Sequence, residues 1–170
     1  NFRKVKRVHD VVETFSKINK EIKSKLLLIG DGPELQDAKE QIKSLGIEDN
    51  VLFLGKQDKV NTFYQMSDIT LLLSEKESFG LVLLEAMLTG VLPIGTNAGG
   101  IKEVIKDGIT GYTVDVGDTD LASKRAIDLL TDSELYNKMQ QAMIQDVKER
   151  FSSKVIADQY ENCYINMLGD

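Results

Sequence analysis

The chain has one cysteine, one histidine, and no long run of either apolar or basic residues. A single cysteine, Cys163, excludes an internal disulfide framework. A single histidine, His9, excludes a histidine-rich zinc centre. Apolar runs last only a few residues, far short of the roughly 20 needed to span a bilayer. A net charge of -6 without a long basic tract disfavours wholesale binding to nucleic acid or to an acidic membrane. The Gly-x-Gly-x-x-Gly fingerprint is missing, because Leu35 stands three places after Gly32. A Walker loop and an EF-hand spacing are also missing, so no metal site is expected. Internal repeats and low-complexity tracts do not occur. The sequence opens on Asn1-Phe2-Arg3-Lys4 with no signal-peptide pattern, and is expected to be a piece of a longer polypeptide.

What is present suits one domain. The chain has 170 residues, 42% hydrophobic and 28% charged, which is enough for a substantial core. Val5, Val8, Val11, Val12, Phe15 and Ile18 recur at helical spacing and predict an amphipathic helix over about 6–19. Residues 25–29 form a short apolar run closed by Gly30-Asp31-Gly32-Pro33, which reads as strand, turn and helix start. Leu35, Ala38, Ile42 and Leu45 carry the helix to Gly46. Further strands are expected at 51–54, 69–73, 91–94 and 111–114, with a short helix near 60–64 and another carrying Glu103. The 69–73 run is apolar throughout and suits a strand buried on both faces. A helix is expected from Phe79 or Gly80 to Thr89. The remainder reads as three helices, with Asp118 or Thr119 and Asp132 with Ser133 at cap positions. Strands alternating with helices predict an α/β fold, with a parallel sheet covered on both faces. Ligands in such sheets bind beyond the carboxyl ends of the strands. Three polar or glycine-rich loops fall there: 30–32, 75–80 and 95–100.

Glu77 and Glu85 are the first candidates for chemistry. A helix opening after Phe79 points the amides of Gly80, Leu81 and Val82 at its open end, which attracts phosphate. Glu85, five residues beyond Gly80 at about 1.5 Å per residue, can reach a group attached to that phosphate. On spacing alone, the favoured reading is plainer: Glu77 is a solvated loop residue and Glu85 an exposed helix acid. The neighbours of Glu85 argue against this, since Leu81 to Leu88 is apolar nearly all round and such a helix is expected to be buried on most sides. A carboxylate there needs partners. Arg3 and Lys6 lie at a helix start, where the dipole gives cations nothing and a bound anion would suit them. Lys4 and Arg7 read as a solvated basic face. Gly99-Gly100 is a turn or a pair of amide donors, and Glu103 an ordinary first-turn acid. His9 beside Asp10 is not a catalytic dyad, and Cys163 reads as helix packing.

The block from Leu73 to Met87 contains Glu77-Ser78-Phe79-Gly80 and Glu85, two glutamates with seven residues between. It resembles the signature of the two-domain retaining glycosyltransferases of GT-B architecture. The blocks Leu28 to Glu34, Val51 to Gly55 and Gly99 to Ile105, followed by Gly108 and Gly111, agree in order. Together they cover nearly the whole chain. Departures are local: two residues separate Arg3 from Lys6 where many relatives have four, Pro93 is shifted by one place, and Lys102 stands where Pro is common.

The resemblance implies a Rossmann-like donor domain, the C-terminal half of a GT-B fold, working with an acceptor half that comes earlier in the polypeptide. It implies that Glu77 meets hydroxyls of the transferred sugar and that Glu85 holds the ribose. Phe79, Gly80 and Leu81 would offer backbone donors to sugar and diphosphate. Arg3 and Lys6 would neutralise the leaving diphosphate, and Gly30 and Gly32 would line the donor pocket. The partners implied are a UDP sugar and a small-molecule acceptor, UDP-GlcNAc and L-malate on the narrowest likeness, with no metal or cofactor required. The fragment alone is expected to be inactive, cytoplasmic, and a possible homo-oligomer through its last helices. Rival readings are half of an epimerase acting on UDP-GlcNAc and a standalone nucleotide-binding or interaction module.

Overall fold

The computed structural model describes residues 1–168. After a 3-10 turn at Lys4–Lys6 come α1 (Val8–Glu21), β1 (Leu26–Ile29), α2 (Leu35–Ser44), β2 (Val51–Gly55), α3 (Asn61–Tyr64) and β3 (Ile69–Leu72). Then follow α4 (Leu81–Leu88), β4 (Leu92–Thr96), α5 (Ile101–Val104), β5 (Tyr112–Val114), α6 (Thr119–Thr131), α7 (Ser133–Phe151) and α8 (Ser153–Leu168). The alternation expected from sequence is present, and every strand pairing is parallel. α1 packs with α2 and α6, while α4 packs with α3 and α7, giving the two helical layers of a doubly wound fold.

The single sheet does not close. β1 pairs with β2, and β3-β4-β5 form a second ladder. Among the described residues no ladder joins β1 to β3. These two strands instead flank an apolar groove, which explains another departure. β3 was expected to be buried on both faces, yet Ile69 to Leu72 are all half-buried, whereas Leu92 to Thr96 of β4 are all buried. β4 has a strand on each side; β3 has one.

Caps follow the sequence signals. Asp118 accepts a hydrogen bond from the Leu121 amide at 2.9 Å, opening α6, and Asp132 accepts one from Leu135 at 2.9 Å, opening α7. Each satisfies an amide that the first helical turn leaves without a partner. Arg7 departs from its expected solvated role. It stops the 3-10 turn in a left-handed conformation, φ 46°, and its guanidinium grips the buried Asp10 at 2.5 and 3.2 Å. That turn displaces the start of α1 from residue 6 to Val8.

α8 exposes Tyr160, Tyr164, Ile165 and Met167. Cys163, expected to pack, is exposed with them. Among the described residues no helix is long and apolar enough to cross a membrane.

Candidate functional site

The loop after β3 and the open end of α4 form the centre of the site. Gly80 precedes α4 with φ 90°, a conformation that favours glycine. The amides of Gly80, Leu81 and Val82 have no backbone acceptor outside the helix among the described residues, and the first turn cannot supply one from within. Lys6 donates to the Glu77 carboxylate across this opening. The two side chains are 28% and 14% exposed, so the pair is sheltered but reachable. The other Glu77 oxygen accepts from the Ser78 amide at 3.2 Å, orienting the carboxylate. The Glu75 amide donates to Val5 O at 2.9 Å, which ties the Lys6 segment to the Glu77 loop.

Gly99 and Gly100 set the height of that loop. The Gly100 amide donates to Glu77 O at 3.1 Å. A Cβ on Gly99 would lie 2.0 Å from Glu77 O, and one on Gly100 2.3 Å from Ser78 O. No side chain fits there. Sequence reasoning left this pair as a turn or as ligand donors; the structure uses it as a close backbone support for Glu77. The adjacent glycines were the available signal. Thr96 adds a second tie, its hydroxyl donating to Ser74 O at 2.5 Å. The Phe79 ring meets that of Phe151 edge-on, ring centres 6.0 Å apart.

The expectation for Glu85 is overturned. α4 is not buried on most sides: Leu83, Ala86 and Met87 enter the core, but Leu81 is 65% exposed and Leu88 69%. Glu85 lies on that outer face, one turn from each, because residues at i, i+4 and i+7 share a side. It is solvated and needs no internal partner. Tyr64 stands nearby, its hydroxyl donating to Val82 O at 3.1 Å. Burial, then the charge of Glu85, push the Tyr64 phenol up to about 12.

Arg3 is exposed at the head of the 3-10 turn and lies near enough to Asn1 to act electrostatically on its amine, as Lys6 does. Gly30 and Gly32 receive the first residues of the chain. A Cβ on Gly30 would stand 2.7 Å from Asn1 N, and one on Gly32 2.5 Å from Phe2 O. Phe2 is held there by its amide to Asp31 O at 3.0 Å and by the Glu34 amide to Phe2 O at 2.9 Å. Gly30 also borders a hollow of about 390 Å³ with Asp31, Leu35, Lys39, Phe53 and Gly55. The expected residues thus gather at the carboxyl ends of β1 and β3, with Glu85 set apart on the outer face of α4. Among the described residues no group of three metal-ligating side chains occurs.

Comparison with known proteins gives these features a family. Residues 1–146 match the family described as glycosyl transferases group 1. The chain is 56% identical over all 170 residues to N-acetyl-alpha-D-glucosaminyl L-malate synthase of Bacillus anthracis, covering 45% of that protein. The chain thus spans about half the length of such relatives. A crystal structure of Anabaena Alr3699/HepE in complex with UDP and glucose superposes with a TM-score of 0.90 at 22% identity, over 98% of this chain and 46% of that one. The C-terminal domain of a group 1 glycosyl transferase, LpcC of Francisella tularensis, matches with a TM-score of 0.80 at 27% identity, over 89% of this chain and 83% of that one. With the match to the group 1 model running through most of its length, and Glu77, Gly80 and Glu85 in place after β3, the chain belongs to the group 1 glycosyltransferases.

Proposed function

We propose that this chain is the donor-binding domain of a retaining glycosyltransferase that moves GlcNAc from UDP-GlcNAc to L-malate together with an N-terminal acceptor domain. The observation that carries the reading is the meeting of Lys6 with Glu77 at the open amide end of α4. A diphosphate set there gains the α4 amides and the Lys6 charge. Arg3 is the second cation, reaching the outer phosphate from an exposed position. Negative charge grows on the diphosphate as UDP departs, and donors already in place stabilise that charge most in the transition state. Glu77, oriented by Lys6 and the Ser78 amide, accepts hydrogen bonds from hydroxyls of the sugar. It is not cast as a nucleophile, because nothing in its placement requires a covalent intermediate.

Phe79, Gly80 and Leu81 present backbone amides to sugar and diphosphate. Glu85, solvated one turn beyond, takes the ribose hydroxyls. Gly30 and Gly32 shape the nucleoside side through the hollow next to Phe53. These residues offer donors and cations for the whole leaving group, so the reading includes no metal. The 56% identical relative supports the choice of sugar and acceptor, and the UDP complex of a structural neighbour supports the base.

Isothermal titration with UDP, ADP, GDP and UDP-GlcNAc tests the proposal. UDP and UDP-GlcNAc should bind in preference to the other two, and Glu85→Ala should weaken UDP about tenfold. Equal affinity for all nucleotides, or an unchanged Glu85→Ala variant, would remove the assigned pocket.

A further inference from the structure

Arg150 lies near the end of α7 and engages all three of its guanidinium nitrogens. Nε donates to Asp146 Oδ2 at 2.8 Å, Nη1 to Glu103 O at 2.6 Å and Nη2 to Val104 O at 2.9 Å. Asp146 is buried, and its other oxygen pairs with Lys106 at 2.5 Å. Glu103 and Val104 are the last two residues of α5, so their carbonyls have no partner within the helix. The guanidinium carbon also stands 4.4 Å from the centre of the Phe151 ring, within range of a cation–π contact.

Two of these partners hold the Glu77 loop. α5 starts from Gly100, whose amide donates to Glu77 O at 3.1 Å, and a Cβ on Gly100 would stand 2.7 Å from the Phe79 Cα. Phe151 meets the ring of Phe79, two residues beyond Glu77. One side chain thus fixes the far end of the helix on which the loop rests and the ring against which Phe79 packs. α5 is a single turn with Ile101 and Val104 fully buried, so a shift at its end is carried to Gly100. We infer that Arg150, anchored on Asp146, is a positioning residue for Glu77. It acts through α5 and Phe151 and keeps the Glu77 carboxylate at the height where it meets Lys6. The task suits arginine: its planar fork serves a carboxylate, two carbonyls and a ring face at once, whereas lysine offers a point charge. Placement matters, because a displacement of about 1 Å can cost on the order of 100-fold. Only the ligand consequence rests on the proposed function; the loop contacts stand without it.

Arg150→Lys keeps the charge and removes the fork. Hydrogen exchange at the Gly100 and Ser78 amides, which donate to Glu77 O and Oε1, should quicken at least tenfold, with β4 unchanged as the check on folding. Asp118→Ala, which loses a cap on α6, is the control for lowered stability and should leave both amides as they are. In titrations UDP-GlcNAc should lose at least fivefold in affinity and UDP less than twofold. Because the effect runs through Glu77, Arg150→Lys should add no further loss in a Glu77→Gln background. Unchanged exchange at both amides overturns the inference. So does an equal loss for UDP, or a full additional loss on top of Glu77→Gln. Should Arg150→Lys also speed exchange in β4, Phe151→Leu decides instead, since it keeps the ion pairs and removes the ring: faster exchange at Ser78 with β4 protected supports the positioning, and normal exchange overturns it. If the unaltered chain shows no preference for UDP-GlcNAc over UDP, the proposed function falls, and the exchange result alone decides the role of Arg150.

Discussion

Lys6 and Glu77 lie 71 residues apart in sequence and share a hydrogen bond at the mouth of α4. In the proposed function the pair divides the site by charge, the cation serving the leaving group and the acid the sugar. The two substitutions should therefore differ in kind. Lys6→Ala should weaken UDP itself by tenfold or more. Glu77→Gln should leave UDP within about twofold and abolish the added affinity of UDP-GlcNAc over UDP. Titration of both variants with both ligands is the measurement, and equal losses for the two ligands in Glu77→Gln would contradict the division.

Gly100→Ala adds a carbon where Ser78 O already stands at 2.3 Å. Overpacking a tight site costs about 1–3 kcal/mol. The variant should lose Tm by several degrees and lose UDP-GlcNAc binding as well, because the loop that moves carries Glu77. Thermal melts with and without ligand separate the effects; a variant that melts normally and binds normally would show that the backbone contact is not restrictive.

Acid should destabilise the fold through two carboxylates. Glu13 is held below its ordinary 4.5, first by Lys17 and then by Thr119. Burial pushes Asp146 up, but Arg150 and Lys106 outweigh it and leave the carboxyl below its ordinary 3.8. For a depressed acid, the stabilisation is present above the unfolded value and is lost as pH falls through the folded one. Denaturant midpoints should therefore drop as pH falls from about 4.5 downward, and Asp146→Asn should flatten the lower part of that profile.

Asp118→Ala and Asp132→Ala each remove a capping acceptor. Each should cost about 1 kcal/mol and leave UDP affinity unchanged, since both caps lie on helices outside the site. Chemical denaturation and titration of the same preparations check the two halves of this expectation.

Local chemistry was legible in the sequence wherever one residue decides an outcome. Asp118 and Asp132 cap as their types suggest, and Gly30, Gly80 and Gly100 mark the turns. Features set by what packs against what were not. Glu85 looked enclosed because α4 is apolar all round in composition, yet the core takes only the Leu83, Ala86 and Met87 face. Arg7 read, with Lys4, as a solvated basic face, and the left-handed turn at Arg7 with Asp10 three residues on gives it a buried partner instead. The break between β1 and β3 has no mark in either strand's own sequence, since a strand with one neighbour and a strand with two can be equally apolar. Asp146 shows only its i,i+4 neighbour Arg150 in the sequence; Lys106, and the carbonyls Glu103 O and Val104 O that Arg150 also ties, are remote along the chain and reach it only through the fold.

The packing of α1 on α6 has a consequence for biosynthesis. Lys17 reaches Thr119 at 2.7 Å and Asp120 at 2.6 Å, and Thr119 donates to Glu13 at 2.9 Å. α1 ends at Glu21 and α6 at Thr131, so roughly 110 residues must leave the ribosome before the first helix meets its partner. At about 5–20 residues per second the wait is on the order of ten seconds. Val11, Phe15 and Ile18 lack the α6 cover throughout that interval, so α1 presents an apolar face on the nascent chain until α6 is made.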